Sequence, residues 1–379
     1  MPLLRVGTLL PPIAFALSLL SAQSAAQDAD PPVEETAPQP EAEPEKQFEV
    51  SGFVDLYYVV NPDDPASGAN FYPGLGNSGK RANELALNLA AVEITRAPAP
   101  VGFKLVLATG TEMDVLHAGE PEEEAVGKDA LRHLYQATVS YATNWGRGLV
   151  IEGGVYPSHI GNEGPLPRDN WNYTQGLAAS FTPSYQAGVK LAYPLAEGWS
   201  AELHLTNGWQ TVGDANDAKS LGTRLAWDTE RVSLIVNTWY GAELPDNDRD
   251  VRQLLDLIAV LRPVPDWRFA VEGYVGRQER ATGADDEWSA AALWARYAPA
   301  ESRWALSARA ERLEDRDAAI SGTAQTIEAA TFTFEHRPHD RLTLRLEGRL
   351  DRSEAAVFDD HGTATEKQRL LLLAAIYTF

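Results

Sequence analysis

Residues 341–351 read Arg-Leu-Thr-Leu-Arg-Leu-Glu-Gly-Arg-Leu-Asp, a strict alternation of polar side chains with leucine or glycine. In a β-strand the polar side chains fall on one face and the leucines on the other, whereas a helix at about 100° per residue spreads the arginines around its circumference. Weaker alternation of the same kind recurs in 267–275 and 304–311. These patterns predict strands, and they recur from residue 48 to the end of the chain.

The connections between these segments alternate in length along the chain. Short, turn-rich connections are predicted at 97–100, 144–147, 194–198, 228–231, 263–266, 298–302 and 337–340. Longer polar connections are predicted at 61–82, 114–130, 158–183, 210–218, 242–250, 280–285, 315–324 and 354–367. This asymmetry is typical of a transmembrane antiparallel β-barrel, with short periplasmic turns and long external loops.

The number of strands follows from the same segments. About sixteen are predicted, beginning near 48, 83, 101, 131, 148, 184, 199, 219, 231, 251, 267, 286, 302, 325, 341 and 368. Fourteen or eighteen strands remain open, because residues 176–181 could pair as an extra strand. An even count brings both ends of the barrel to the periplasmic side.

Residues 371–379 read Leu-Leu-Leu-Ala-Ala-Ile-Tyr-Thr-Phe, so that Tyr377 and Phe379 share one face of a final strand. An outer-membrane barrel needs such a strand to close its sheet and to turn an apolar stripe toward lipid. A terminal phenylalanine with an aromatic residue two positions earlier is typical of bacterial outer-membrane barrels. We therefore predict that Tyr377 and Phe379 are the signal for the barrel-assembly machinery. The alternative is a soluble β-domain that ends on phenylalanine.

The N-terminal segments predict export. Arg5 precedes an apolar run broken by two prolines, and 24–26 fit a signal-peptidase site, so 1–26 are predicted to be a signal peptide. Residues 27–47 are rich in Glu, Pro and Ala and are predicted to be a disordered acidic periplasmic tether. The transmembrane barrel is predicted over 48–379. The chain has no cysteine, which excludes disulfides and thiolate metal sites.

The formal net charge of −22 argues against nucleic-acid binding and suggests a mild preference for cations. Acidic residues on external loops contribute to that total without lining a pore. The predicted partners are outer-membrane lipid and lipopolysaccharide, the barrel-assembly machinery and small solutes. The sequence leaves open whether the chain forms a homo-oligomer.

A barrel of sixteen strands leaves a wet lumen that side chains alone do not fill. Inward charges are inexpensive there, and they create the field that selects ions. The predicted basic lumen residues are Arg132, Lys190, Arg224, Arg309, Arg345 and Arg349. The alternative is that these side chains form cross-strand ion pairs and only stiffen the wall.

Residues 158–182 form a long predicted loop that carries large aromatic side chains. Trp171 and Tyr173 lie close together there, which is unexpected for a loop exposed to water. We predict a constriction loop that folds into the barrel, with Asn170, Trp171, Asn172 and Tyr173 on the inner wall and with Glu163, Arg168 and Asp169 as its charged groups. The alternative is a loop that caps the barrel or contacts a neighbouring subunit.

Several motifs occur in order along the chain: Gly-Gly-Val-Tyr-Pro-Ser-His-Ile-Gly-Asn-Glu at 153–163, Asn-Trp-Asn-Tyr-Thr at 170–174, Thr-Pro-Ser-Tyr-Gln-Ala-Gly-Val at 182–189 and Asn-Gly-Trp at 207–209. With Gly-Phe-Val-Asp-Leu-Tyr-Tyr at 52–58, they resemble the putative β-barrel porin-2 (OmpL-like) family of Gram-negative outer membranes. The resemblance covers roughly 48–379, and it implies an outer-membrane channel of undefined solute.

The sequence offers no catalytic residue, cofactor site or metal site. No Gly-x-Ser-x-Gly elbow occurs, and the adjacent Ser158 and His159 lack the fixed geometry of a nucleophile and base. We therefore expect a porin of the Gram-negative outer membrane, a passive diffusion channel for small hydrophilic solutes or ions. The alternative is a non-conducting barrel with an adhesion or structural role.

Overall fold

The computed structural model describes residues 48–71, 78–120, 131–213 and 216–379. Within them, sixteen antiparallel strands form a closed barrel in which the first strand pairs with both the second and the last. The strands are β1 (Glu49–Val60), β2 (Leu85–Arg96), β3 (Val101–Thr109), β4 (Leu134–Ala142), β5 (Val150–Pro157), β6 (Tyr185–Ala196), β7 (Trp199–Thr206), β8 (Ser220–Asp228), β9 (Val232–Leu244), β10 (Asn247–Val264), β11 (Trp267–Gln278), β12 (Asp286–Tyr297), β13 (Trp304–Asp315), β14 (Gln325–His339), β15 (Leu342–Ser353) and β18 (Lys367–Thr378). The sixteen-stranded barrel predicted from the sequence is confirmed.

Short helices and a hairpin lie in the connections. Helix α1 (Thr111–Leu116) follows β3, and helix α2 (Leu177–Ser180) lies between β5 and β6. The strands β16 (Phe358–Asp360) and β17 (Thr363–Thr365) form a separate hairpin between β15 and β18. Residues 176–181, considered above as an extra strand, are therefore not part of the sheet. No helix among the described residues has the length and apolar character needed to cross a bilayer.

The barrel closes between its first and last strands. The ladder of β1 and β18 runs from Phe53 opposite Thr378 to Val60 opposite Leu371. It is extended by two backbone hydrogen bonds, from the Gly52 amide to the Phe379 carbonyl at 3.1 Å and from the Phe379 amide to the Gly52 carbonyl at 3.0 Å. The last residue of the chain thus takes part in closure.

The connections alternate as expected. We call the end of the barrel where β1 begins and β18 ends the terminal end, and the opposite end the loop end.

One connection differs from the prediction. Residues 242–250 are not a long loop, because β9 continues to Leu244, β10 begins at Asn247, and these two residues pair. Asp246, at a φ of 55°, completes the tight turn between them, so the ladder continues beyond the expected boundary.

The two faces of the sheet are inverted relative to a soluble protein. On β15 the side chains of Leu346 and Leu350 are 42% and 58% exposed, whereas Arg345 and Glu347 are 3% and 1% exposed. The strand alternates by two, so the leucines face outward and the charges face inward. An outward apolar band with a polar interior is the pattern of a barrel that crosses lipid.

Aromatic residues divide between the two faces. Near the terminal end, outward-facing rings contact one another, with the ring centroids of Trp199 and Trp227 6.1 Å apart and those of Tyr297 and Trp304 5.7 Å apart. Such outward rings suit the membrane interface. By contrast, Trp239, Trp288 and Trp294 are buried on the inner face.

The predicted signal peptide, 1–26, and the predicted tether, 27–47, lie outside the described residues. Both remain predictions.

Candidate functional site

The connection between β5 and β6, residues 158–184, runs along the inner wall of the barrel, and we call it the inserted loop. β5 ends at Pro157, whose nitrogen cannot donate to the ladder. The loop then forms a single 3-10 turn, Pro167–Asp169, followed by α2. Near its middle, Asn172 and Tyr173 are 0% exposed. The loop is thus packed as an interior element.

Arg345 on β15 binds the backbone of the inserted loop. Its guanidinium donates to the carbonyl oxygens of Pro167 at 2.6 Å and of Asn170 at 2.9 Å. The same guanidinium donates to Glu335 on the neighbouring strand β14 at 2.8 Å. Since Arg345 has charge-assisted bonds to both wall and loop, it fixes the loop to this side of the barrel.

Glu347, two residues further along β15, accepts from the next part of the loop. Its carboxylate accepts from the amides of Tyr173 at 2.5 Å and Thr174 at 2.9 Å, and from the Thr174 hydroxyl at 2.6 Å. The Tyr173 hydroxyl donates to Asp55 on β1 at 2.8 Å. Burial beside that carboxylate raises the pKa of Tyr173 well above its ordinary value, so the hydroxyl remains a donor.

Arg309 on β13 lies at the centre of a buried ionic network. It pairs with Glu163 of the inserted loop at 2.8 Å and with Glu311 of its own strand at 2.6 Å. It also donates to the Thr174 carbonyl at 2.7 Å. The side chains of Arg309 and Glu311 are 0% exposed. A charge buried to this extent is tolerated only with partners of this kind.

The same carboxylates hold the start of α2. The Gly176 amide donates to Glu163 at 2.7 Å, and the Leu177 amide donates to Glu311. A Cβ at Gly176 would lie 2.3 Å from a Glu311 oxygen, so a larger residue would displace that carboxylate. Beyond it, Arg349 donates to the Gln175 carbonyl at 2.6 Å and pairs with Asp351 at 2.9 Å.

The first residues of the inserted loop bind a different part of the wall. The amides of Gly161 and Asn162 donate to Asp256 at 3.1 Å and to Glu272 at 3.2 Å. His159 stacks on His204 of β7 with ring centroids 4.0 Å apart. Burial, and to a lesser extent His204, lower the pKa of His159 to about 4, so its ring is neutral at neutral pH.

A second group of inward charges lies on the opposite side of the barrel. In the order of strands around the sheet, β6 is eight places from β14. Lys190 on β6 pairs with Glu152 on β5 at 2.8 Å, and these side chains are 22% and 19% exposed. Glu202 on β7 is 28% exposed. Water therefore reaches this side, whereas the inserted loop excludes it from Arg309.

Arg168 of the inserted loop faces a neighbouring part of the solvated wall. Its guanidinium pairs with Glu93 on β2 and lies 4.2 Å from the centroid of the Phe53 ring. Lys104 on β3 lies 4.0 Å from the same glutamate. Asp169, next in sequence, is 65% exposed at its side chain. These are the charged loop residues that solvent reaches.

The structure brings together most, but not all, of the residues singled out from the sequence. Arg309, Arg345 and Arg349 bind the inserted loop, and Lys190 lies on the solvated side. Arg224 is also inward and donates to the His159 carbonyl at 3.4 Å. Trp171 lines a cavity below the loop, whereas Asn170 accepts from the Gly164 amide at 3.1 Å.

Two of these residues lie apart from the solvated charges. Arg132 precedes β4, is exposed, and lies apart from the lumen group beside the surface residues Arg81 and Glu84. Glu163 is not an exposed pore charge, because Arg309 and the indole nitrogen of Trp294 bind its carboxylate. Alternation by two did not settle either placement, since Arg132 is outside a strand and Glu163 is in a loop.

Four carboxylates of the loop-binding wall were not identified as loop partners from the sequence. They are Asp256, Glu272, Glu311 and Glu347, on β10, β11, β13 and β15. Each lies on the inward face of its strand, so strand alternation identifies them as lumen residues. Their pairing with loop amides depends on the path of the inserted loop, which alternation does not specify.

No group of three or more histidine, aspartate or glutamate side chains among the described residues is arranged to hold a metal ion. The solvated charges and the inserted loop define the candidate site.

Comparisons with known proteins identify the fold and the family. The family described as "Putative beta-barrel porin-2, OmpL-like" matches residues 47–379. No protein of curated function matches the chain.

Solved structures that resemble the barrel include three outer-membrane proteins. The anion-selective porin of Comamonas acidovorans is 14% identical with a TM-score of 0.56, over 88% of this chain and 99% of that one. The outer-membrane channel DcaP of Acinetobacter baumannii is 12% identical with a TM-score of 0.58, over 88% and 97%. OmpT of Vibrio cholerae, in its trimer form, is 9% identical with a TM-score of 0.56, over 88% and 99%. At such identities the likeness concerns the fold alone.

Proposed function

The chain belongs to the putative beta-barrel porin-2, OmpL-like, family, and from this we propose that it is a passive diffusion channel for small hydrophilic solutes or ions. Members of a porin family are channels of the bacterial outer membrane rather than enzymes. We further propose that this protein resides in the outer membrane of a Gram-negative bacterium.

One observation carries the proposal: charged side chains on the two sides of the lumen differ in their access to water. The inserted loop lies against β13–β15, where Arg309 is 0% exposed, whereas Lys190 on the far wall is 22% exposed. A loop fixed to one side of a barrel narrows the lumen without filling the other side. The solute path is proposed to run between the inserted loop and β2–β8.

The constriction is proposed to consist of the loop residues Arg168 and Asp169 and the wall residues Glu93, Lys190 and Glu202. Both signs of charge are present, so a transverse field crosses the path. Such a field orients polar solutes and selects among ions. Trp171 and Tyr173 have a structural role in this proposal. Tyr173 anchors the loop to the wall, and Trp171 lines the cavity beneath the loop.

A non-conducting barrel is the second candidate, and one feature favours it. The inserted loop is held by at least four inward arginine and glutamate side chains, which is consistent with a permanent plug. The remaining external loops would then carry an adhesion or structural role. This candidate shares the fold, and conductance separates the two.

The test is the ion conductance of the refolded chain in a planar bilayer, with the reversal potential in a salt gradient. Discrete current steps are expected from a channel, and the sign of the reversal potential gives its ion preference. A folded barrel that shifts on heating in gel electrophoresis but gives no steps would overturn the channel proposal in favour of the plugged barrel.

Assembly is also proposed. Tyr377 and Phe379 would be read by the barrel-assembly machinery, and the outer face would contact lipid and lipopolysaccharide. A homo-oligomer, such as the trimer described for OmpT of Vibrio cholerae, would be detected by the mass of the protein in detergent.

A further inference from the structure

A cavity lies between the inserted loop and the terminal ends of β10, β11 and β12. Its volume is about 210 Å³, and its lining includes Arg262, Arg268, Trp171 and Trp294. Arg262 and Arg268 are within a few residues of the β10–β11 turn, so the cavity lies near the terminal end of the barrel. We call it the vestibule cavity.

The two arginines of the vestibule cavity have no carboxylate partner in the part of the chain that the structure describes. Arg262 donates to the neutral Ser233 hydroxyl at 2.9 Å, and Arg268 is exposed. Two carboxylates also line the cavity, and within the described residues neither forms an ion pair with Arg262 or Arg268. Glu163 is bound to Arg309 at 2.8 Å, and Asp169 extends into solvent beside Arg168, 3.7 Å away.

Further arginines lie on the neighbouring strands of the sheet. Arg268 on β11 is the direct cross-strand partner of Arg296 on β12. Like charges placed directly opposite one another destabilise a sheet. Arg296 in turn shares the carboxylate of Glu335 with Arg345 and Arg337, at 2.8, 2.8 and 2.9 Å. Three guanidinium groups on β12, β14 and β15 therefore share one carboxylate.

This arrangement is unfavourable for the empty barrel and favourable for a bound anion. A planar guanidinium matches a carboxylate through two parallel hydrogen bonds, and two such groups in one cavity can hold one carboxylate between them. The potential of the neighbouring arginines raises the local concentration of anions at this mouth.

The lining of the vestibule cavity also contains two indole rings, on which a flat ring can stack. Trp171 is partly exposed in the cavity, and Trp294 is fixed by the bond from its indole nitrogen to Glu163 at 2.9 Å. Flat rings stack on such faces. The volume of about 210 Å³ is below the range of about 300–1,000 Å³ that is usual for drug-sized ligands. A solute with a single ring is therefore the size that fits.

We propose that the vestibule cavity binds small organic carboxylates that carry one flat ring, with the carboxylate between Arg262 and Arg268 and the ring against Trp171. This rests on the proposed channel function, since it names a class of solute that the channel takes. It also indicates a local preference for anions at this mouth, despite the overall charge of −22.

The test is calorimetric titration of the refolded chain in detergent with benzoate, benzamide and acetate. Benzoate is expected to bind saturably, and benzamide, which has the ring without the charge, to bind at least tenfold more weakly. Acetate, which has the charge without the ring, is also expected to bind more weakly than benzoate. Equal binding of benzoate and benzamide, or of benzoate and acetate, would overturn the proposal.

The double substitution Arg262→Gln and Arg268→Gln is expected to weaken benzoate binding about tenfold or more, because charge-assisted hydrogen bonds are lost. Its matched control is Arg312→Gln, an arginine at the other end of the barrel that is 48% exposed. Unchanged binding in the double variant would also overturn the proposal. Heat-modifiable migration establishes that each variant is folded.

The two proposals fail separately. Benzoate binding without current steps in a bilayer would remove the channel and leave the vestibule cavity as a binding site. Current steps without benzoate binding would leave the channel and remove the carboxylate site.

Discussion

Arg309 and Glu163 form an ion pair of 2.8 Å that joins the middle of β13 to the inserted loop, with both side chains withdrawn from water. The two residues are 146 positions apart in the chain. Glu311, Thr174 and the α2 backbone complete the network around them. This one contact links the barrel wall, the loop path and the proposed constriction, and the first prediction tests it.

Replacing Arg309 with glutamine should destabilise the barrel. The substitution leaves Glu163 and Glu311 buried without their cation, and breaking one side of a buried pair typically costs about 3–5 kcal/mol. The free energy of unfolding in lipid vesicles, measured with a chemical denaturant, tests this. Arg312→Gln on the same strand is the control, because its exposed ion pairs should contribute about 0–1 kcal/mol. Equal losses in the two variants would contradict the buried network.

Removing residues 158–182 and joining the ends with a short Gly-Ser linker should raise the single-channel conductance. The loop occupies the lumen beside β13–β15, and its removal widens the narrowest part of the proposed path. A deletion of 281–284, exposed residues of the turn between β11 and β12, is the control and should leave conductance unchanged. If both deletions conduct like the wild type, the inserted loop does not limit the flow.

Gly222→Ala should loosen the start of the inserted loop. A Cβ at Gly222 would lie 2.4 Å from Cε1 of His159, so the imidazole has to leave its stack on His204. Amide hydrogen exchange of peptides from 158–184 should become faster. Gly153→Ala is the control, because its Cβ would meet the nearest atom at 3.8 Å. Unchanged protection in Gly222→Ala would show that the histidine stack does not hold the loop.

Acidification should weaken the docking of the inserted loop. The pKa of the buried His159 is about 4 against an ordinary value of 6.5. Between pH 4 and pH 6.5, His159 is therefore protonated when the loop is released and neutral when the loop is docked. Docking is expected to be fully stable above pH 6.5 and to weaken progressively as the pH falls toward 4. Hydrogen exchange of 158–184, corrected for intrinsic pH dependence, should show this loss, and His159→Gln should reduce it. The same pH profile in both proteins would assign the effect to another group.

Phe379→Ala should reduce assembly more than it reduces stability. The Phe379 side chain faces outward and is 51% exposed, while its backbone closes the sheet on Gly52. The measurement is the fraction of heat-modifiable protein in the outer membrane, compared with refolding in detergent. Phe332→Ala, an outward phenylalanine that is 53% exposed, is the control. Equal assembly of the two variants would remove the signal role of Phe379.

The sequence alone determined the barrel, because its evidence is local. Alternation by two in 341–351 assigns each side chain to a face without knowledge of any partner, and the lengths of the connections determine the strand count and direction. The same local evidence placed Arg309, Arg345 and Arg349 on the inner face.

The tertiary structure decided where the loop runs and which charges water reaches. Glu163 and Arg309 are far apart in the chain, so their pairing follows from the closed sheet and from the folding of 158–184 into it. Arg268 and Arg296 likewise become neighbours only through the register of β11 and β12. Residues in loops have no periodic constraint, and their partners depend on the shape of the space that the barrel encloses.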